Sequence, residues 1–301
     1  MEEISIKAYA KINLTLDITG RREDGYHLLR SIMQQISVYD VVELKKADDI
    51  SLKVVSSNAS GLSHEVVPED ARNIAWKAAE LILKEAGISG GVEIILHKNI
   101  PAAAGLAGGS TDAAAVLRGI SRLYGLGYDS GKLCELGVKL GADVPFCILG
   151  GTALAEGIGD KLTVLPSPEK AYILLAKLPV AVSTRQVYEA YDALSVTERE
   201  DLSGRLTELL MDHGADIKAV SACLMNVLAE VTQDQYPVIG QMAGKMKELG
   251  AEGALMSGSG PSVFGLFADE IMVNKACDAM KKSYPDAFCT VCGFIGGEEN
   301  D

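Results

Sequence analysis

PAAAGLAGGSTDAA, residues 101–114, is a glycine loop of the kind that opens a phosphate site, with one part missing. A Walker loop sets a lysine beside its last glycine to meet the β- and γ-phosphates, whereas here Gly108 and Gly109 run directly into Ser110, Thr111 and Asp112. GVEIILHK before the loop has the pattern of a strand, and from Ser110 the run through AAAVLRGISRLYG has that of a helix. A helix N-terminus carries free backbone N–H groups and about half a positive charge, so strand, glycine loop and helix in that order form an anion site by construction. Gly105, Gly108 and Gly109 would serve equally well as a tight turn between packed elements. The rest of the chain has to decide between the two.

Composition narrows the field. At 301 residues and 48% hydrophobic content the chain can fill two cores, so disorder is not expected. The longest uncharged run, Gly253 to Ala268, is interrupted by glycines and a proline and falls short of the ~18 apolar residues of a membrane helix. MEEISIKAYAK at the start lacks the basic patch and apolar block of a secretory signal, so the expected location is the cytoplasm. The six cysteines (134, 147, 223, 277, 289, 292) are too dispersed for a disulfide scaffold and are expected to be reduced. Cys289 and Cys292 lie in a strand-like run, FCTVCGFI, where residues three apart face opposite ways and share no metal. With 28 basic and 41 acidic residues the net charge is −13, which excludes a broad nucleic-acid footprint. A polyanionic ligand therefore needs a local cation.

Residues 4 to 18, ISIKAYAKINLTLDI, alternate as a strand does and put Lys11 and Asn13 on one face. The turn GRREDGY follows, then strands in VYDVVEL and ISLKVVS, and an amphipathic helix, RNIAWKAAELILKEAG, closed by Gly87. LCELGVKLG forms a further helix that runs into GADVPFCILGG. Composition shifts at Leu165-Pro166-Ser167-Pro168-Glu169, which sets domains of 1–165 and 166–301. Beyond it come a strand (AYILLAK), helices from about Arg185 to Leu249, a second glycine cluster in MSGSGPSVFGLF, and FCTVCGFI. Strands and helices that do not strictly alternate predict two α+β domains rather than a doubly wound sheet.

Pro101-x-x-x-Gly105-Leu106-x-Gly108-Gly109-Ser110-Thr111 resembles the ATP-binding motif of the GHMP kinases, which phosphorylate small alcohols and whose motif has no lysine of its own. KAYAKINLTLDITGRREDGYHLL, LGADVPFCILGGTALAEGIGD and LMSGSGPSVFGLF extend the resemblance over residues 7–267. AKINLTLDITGRREDGYHLL, with its GYH turn, and GADVPF narrow the resemblance to the GHMP kinases of the non-mevalonate isoprenoid route, which implies the 2-hydroxyl of 4-diphosphocytidyl-2-C-methyl-D-erythritol as acceptor. The resemblance implies an N-terminal domain like the second domain of ribosomal protein S5 and a ferredoxin-like C-terminal domain, with the site between them. It implies that Pro101, Ala102, Ala103, Ala104, Gly105, Leu106, Ala107, Gly108, Gly109, Ser110 and Thr111 bind ATP, with Mg²⁺ bridging the phosphates and its protein ligands unassigned. The alternatives are a mevalonate- or homoserine-type kinase, or a relative that binds nucleotide without turnover. A monomer or weak homodimer is expected.

Individual residues carry two readings each. Lys11 is either an edge lysine reaching solvent or, by the resemblance, the cation beside the transferred phosphoryl group. Asp143 is either a helix N-cap before Pro145 or the group that orients or deprotonates the acceptor hydroxyl. Tyr26 and His27 either plug a small core or stack on and hydrogen-bond the cytosine ring, with Asn13 also at the acceptor. Thr184 and Tyr188 match the place of a second stacking ring, and Tyr188 is equally a buried helix aromatic. N-capping explains Asn73 fully, while the family places its segment near adenine. Gly258 and Ser259, in GSGPS, are either plain loop or a second set of backbone donors to the substrate. Ala107 replaces a frequent glycine and is expected to keep an ordinary backbone conformation if the loop binds ATP. Asp112 is expected in the first helical turn, complementing the dipole while facing away from phosphate.

Overall fold

The computed structural model describes residues 2–56, 67–194, 199–212 and 214–297. In chain order its elements are β1 (Glu3–Asn13), β2 (Thr15–Arg21), β3 (His27–Ala47), β4 (Ser51–Ser56), α1 (Ile74–Glu85), β5 (Gly91–Lys98), α2 (Gly108–Tyr124), α3 (Ser130–Val138), α4 (Val144–Leu149), β6 (Thr152–Gly157) and β7 (Lys161–Leu165). There follow β8 (Tyr172–Lys177), α5 (Thr184–Tyr191), α6 (Leu202–Asp212), α7 (Ile217–Ala222), β9 (Met225–Asn226), α8 (Leu228–Gln235), α9 (Pro237–Glu248), β10 (Gly253–Met256), β11 (Val263–Phe267), α10 (Glu270–Ser283) and β12 (Phe288–Gly293).

The long strand β3 organises the first sheet, because successive stretches of it pair antiparallel with β1, β2, β5 and β6. Its predicted partner, residues 4–18, is two strands: Leu14 leaves the ladder of β1 and its N–H bonds to the Ile32 carbonyl. Helix α2 lies directly on this sheet. Its small residues allow that approach, since a Cβ at Gly119 would overlap Leu44 Cδ1. Ala113, Ala114, Val116, Leu117 and Ile120 of α2 close one core with α1 and the inner face of the sheet.

The second sheet has the order β10-β11-β8-β12, with all neighbours antiparallel. Helices α8, α9 and α10 cover one face of it. Its other face shares a core with the first half, where Leu14, Ile32 and Leu106 meet Leu175 and Phe264. Cys289 belongs to the first of these cores and Cys292 to the second, so the two thiols point to opposite faces of β12, and all six cysteines are unpaired. The chain crosses between the halves twice more. Strand β9 adds to β2 in parallel, and Ile36 bridges Phe294. No helix among the described residues is long and apolar enough to cross a membrane.

Candidate active site

The loop between β5 and α2 is curled by three residues in the left-handed region, Ala103 (φ 46°), Gly105 (φ 72°) and Ala107 (φ 58°). Ala107 thus departs from the ordinary conformation expected of it. It stands immediately before Gly108, where α2 begins two residues earlier than the sequence pattern indicates, and Gly108, Gly109 and Ser110, whose N–H groups have no partner within the helix, line the cavity. Gly105 is required on two counts, its positive φ and its approach to the Ser257 carbonyl, which a Cβ would overlap. The loop is pinned from three sides. The Lys11 N–H donates to the Leu106 carbonyl (3.1 Å), Ser257 Oγ donates to the Gly105 carbonyl (3.0 Å), and Thr111 Oγ1 donates to the Tyr9 carbonyl (2.7 Å).

Ala103, Ala104, Gly105, Ala107, Gly108, Gly109 and Ser110 line a cavity of about 500 Å³. Pro101, Ala102, Leu106 and Thr111 stand outside its wall, Leu106 as a core side chain and Thr111 with its hydroxyl turned to β1. Asn73 also stands outside it. Its Oδ1 caps Ala75 N–H (2.9 Å) and its Nδ2 donates to the Pro68 carbonyl (2.8 Å), so both ends serve the start of α1.

Lys11 is the one cation among the described residues of this wall. The β1–β3 register shifts between Tyr9 and Lys11, an irregularity of the kind that re-aims a side chain. Lys11 Nζ donates to Asn13 Oδ1 (2.8 Å) and lies 3.5 Å from Asp143 Oδ2. Asn13 is held in turn: its Nδ2 donates to Ser31 Oγ (2.8 Å), which donates to the Thr15 carbonyl (2.5 Å). Asp143 occupies the N-cap position of α4, yet its carboxylate makes no capping bond and faces Lys11 instead.

A second cavity of about 750 Å³ adjoins the first, and Leu29, Ala142, Ile158, Thr184 and Tyr188 belong to both walls. Tyr26 and His27 line the second cavity. Tyr26 is 62% exposed, whereas His27 packs on Tyr188 with ring centroids 4.8 Å apart. Thr184 Oγ1 and Ser259 Oγ are 2.8 Å apart, and Gly258 and Ser259 line the first cavity, with Gly258 packed directly against Gly105 of the glycine loop. Asn226, which the sequence did not single out, fixes that turn: its Nδ2 donates to the Met256 and Gly258 carbonyls, both at 2.8 Å.

The cation that the loop lacks has a near-substitute in Lys98, at the end of β5 directly below Gly108. Its charge is already committed. Lys98 Nζ bonds to Asp40 and, at 2.5 Å, to Asp112 Oδ2, and all three are buried. Burial lowers the Lys98 pKa, but the Asp112 and Asp40 carboxylates outweigh it and the net direction is up. Burial, with Asp40 adding repulsion, pushes Asp112 up to about 7. Asp112 therefore faces Lys98 rather than solvent, and because α2 starts at Gly108 it lies one turn further in than the first-turn place expected of it, so the cluster ties β3, β5 and the second turn of α2 together. The one hint in the sequence was a carboxylate inside an alanine-rich helix.

Residues 73–151 match the family model for the GHMP kinase N-terminal domain and residues 208–286 that for the GHMP kinase C-terminal domain. Over 276 residues the chain is 47% identical to 4-diphosphocytidyl-2-C-methyl-D-erythritol kinase of Caldicellulosiruptor saccharolyticus, an overlap of 92% of each protein. A crystal structure of 4-(cytidine 5′-diphospho)-2C-methyl-D-erythritol kinase superimposes with a TM-score of 0.75 at 31% identity, covering 96% of this chain and 99% of that one. Homoserine kinase of Cytophaga hutchinsonii superimposes equally well (TM-score 0.76, 99% and 96% covered), and at 21% identity that likeness speaks to the fold alone. The chain belongs to the GHMP kinases and, within them, to the family of 4-diphosphocytidyl-2-C-methyl-D-erythritol kinases.

Proposed function

We propose that the chain transfers the γ-phosphoryl group of ATP to the 2-hydroxyl of 4-diphosphocytidyl-2-C-methyl-D-erythritol, a step of the non-mevalonate route to isopentenyl diphosphate. The observation that carries this reading is the join between the two cavities. The glycine loop and the N-terminus of α2 offer backbone donors on one side, the Tyr26, His27 and Tyr188 rings line the other, and Ala142 belongs to both walls, next in the chain to Asp143 of the first. ATP phosphates lie against the loop amides, and the cytidyl group lies among the rings. The acceptor hydroxyl donates to Asp143, its oxygen bonds to the γ-phosphorus as the bond to ADP breaks, and the proton leaves along the hydrogen bond to the carboxylate. Lys11 stabilises the charge that develops on the transferred group, and Asn13 holds its ammonium in place.

Mg²⁺ bound to the phosphates would neutralise part of their charge. The donor set fits a cation that rides on the nucleotide, since the described residues hold no group of three His, Cys, Asp or Glu placed for a metal. Asp143 and Ser110 are the oxygen donors of the wall suited to a hard cation, with phosphate and water completing its shell. Every group named comes from one chain, which supports a monomer or weak homodimer. A mevalonate or homoserine acceptor would leave the ring-lined cavity without an occupant. ADP release measured side by side with the cytidyl alcohol, mevalonate and homoserine tests the assignment, and turnover of mevalonate alone would overturn it.

A further inference from the structure

His27 is gripped on two sides. Its ring lies against Tyr188, and its Nε2 is 2.6 Å from Asp192 Oδ1. An ionised carboxylate only accepts, so Nε2 carries the proton of that bond, and in the neutral imidazole Nδ1 is then a bare acceptor. Among the described residues Nδ1 has no hydrogen-bond partner, and the side chain lines the ring-bearing cavity. Asp192 is itself braced. Its Oδ2 lies 3.1 Å from an Arg21 guanidinium nitrogen, and Arg21 Nε donates to the Gly25 carbonyl (3.1 Å), beside Tyr26. Its backbone N–H bonds to the Tyr188 carbonyl (3.0 Å) at the end of α5. One carboxylate thus joins the turn that carries Tyr26 and His27 to the helix that carries Tyr188.

We propose that Asp192 is a positioning residue that makes the site read cytosine: by holding the proton on His27 Nε2 it presents Nδ1 as an acceptor to the 4-amino group of the base. Uracil carries a 4-oxo group at that place, and two acceptors facing each other across a closed contact leave both unpaired. The inference rests on the cytidyl acceptor proposed above.

Calorimetric binding of CDP and UDP reads the base contact without any turnover. The wild type binds CDP at least about tenfold more tightly than UDP, and Asp192→Asn narrows that preference about tenfold, because an amide satisfies either tautomer of His27. Asp192→Glu, which keeps an obligate acceptor, retains the preference. Nitrogen-15 spectra of the His27 ring, taken near pH 8.5 to stay above the ordinary imidazole range of about 6.5, show a protonated Nε2 in the wild type and a mixture of tautomers in Asp192→Asn. Equal affinity of the wild type for the two nucleotides overturns the inference. So does an Asp192→Asn variant that loses both affinities alike with the His27 tautomer unchanged, since that is the signature of a brace and nothing more. A wild type that prefers CDP but fails to phosphorylate the cytidyl alcohol sinks the proposed function and leaves the role of Asp192 standing.

Discussion

Lys11 Nζ stands 3.5 Å from Asp143 Oδ2, a meeting of the irregular stretch of β1 with the residue that opens α4. Asn13 Oδ1 accepts the Lys11 ammonium hydrogen bond, and Lys11 lines the cavity. Lys11→Met and Asp143→Asn should each lower kcat at least about 10³-fold, the scale seen when a preorganised charge is removed from a transition state. Stability should change little, because the Asp143 side chain is 32% exposed and water can replace its partner. Steady-state ADP release with a parallel thermal melt checks both halves. Near-normal kcat in both variants would remove the basis for the mechanism.

Tyr188 is common to both cavities, and its ring packs on His27. Burial and then the Asp143 charge push its phenol well above the ordinary range, so it stays neutral wherever the enzyme is assayed. What it offers the substrate is a ring face. Tyr188→Phe should leave KM for the cytidyl alcohol within about threefold, and Tyr188→Ala should raise it about 10- to 100-fold, the worth of one base stack. A large effect of the phenylalanine variant would mean that the hydroxyl, rather than the ring, is what matters.

Lys98 serves two buried carboxylates, and its removal strands both. Lys98→Met should cost about 3–5 kcal/mol at neutral pH, as when one partner of a buried ion cluster is deleted. Asp112 supplies the pH dependence. Its folded pKa of about 7 lies above that of an unfolded aspartate. Between about pH 4 and 7 the native state holds a proton that the unfolded chain has released, so stability falls as pH rises through that window. Asp112→Asn should flatten this slope. Urea unfolding of the wild type and Asp112→Asn at pH 5 and pH 8 measures it, the difference between the two proteins cancelling the groups they share; identical slopes would show that Asp112 is ionised throughout.

The parts of the site that could be recognised in the sequence share a physical reason: their geometry is local. Strand alternation alone put Lys11 and Asn13 on one face, and the strand, glycines and helix around residues 98–124 define an anion site without reference to anything distant. The Lys98 cluster could not be read that way, because Asp40, Lys98 and Asp112 come from three elements with no shared pattern. Ser31 and Asn226 escaped notice for the same reason, since their roles consist of bonds to Asn13 and to the 256–258 turn. The break at Leu14 and the core shared by the two sheets are likewise set by β3 and by Phe264, far along the chain. Conformation is a further limit. Nothing in an alanine announces a positive φ, and Ala107 takes one because Leu106 must reach the core while Gly108 starts the helix.

That last point separates two neighbouring positions in one loop. Gly105 and Ala107 both sit at positive φ, but only at Gly105 would a Cβ collide with backbone, at the Ser257 carbonyl. Gly105→Ala therefore meets conformational strain and a clash that no rotamer relieves, and should cost more than about 2 kcal/mol. The clash also pushes the glycine loop away from the 257–259 turn that helps line the cavity, so the rise in thermal midpoint on adding ATP should shrink. Ala107→Gly removes a left-handed alanine at the cost of a more flexible unfolded chain, and the two effects leave stability unchanged or up to about 1 kcal/mol higher. Thermal melts of the three proteins with and without ATP distinguish the positions. A Gly105→Ala protein that melts and responds to ATP as the wild type does would mean that the loop is not held against Ser257 in solution, and the cavity would then lack the wall on which the proposed ATP site depends.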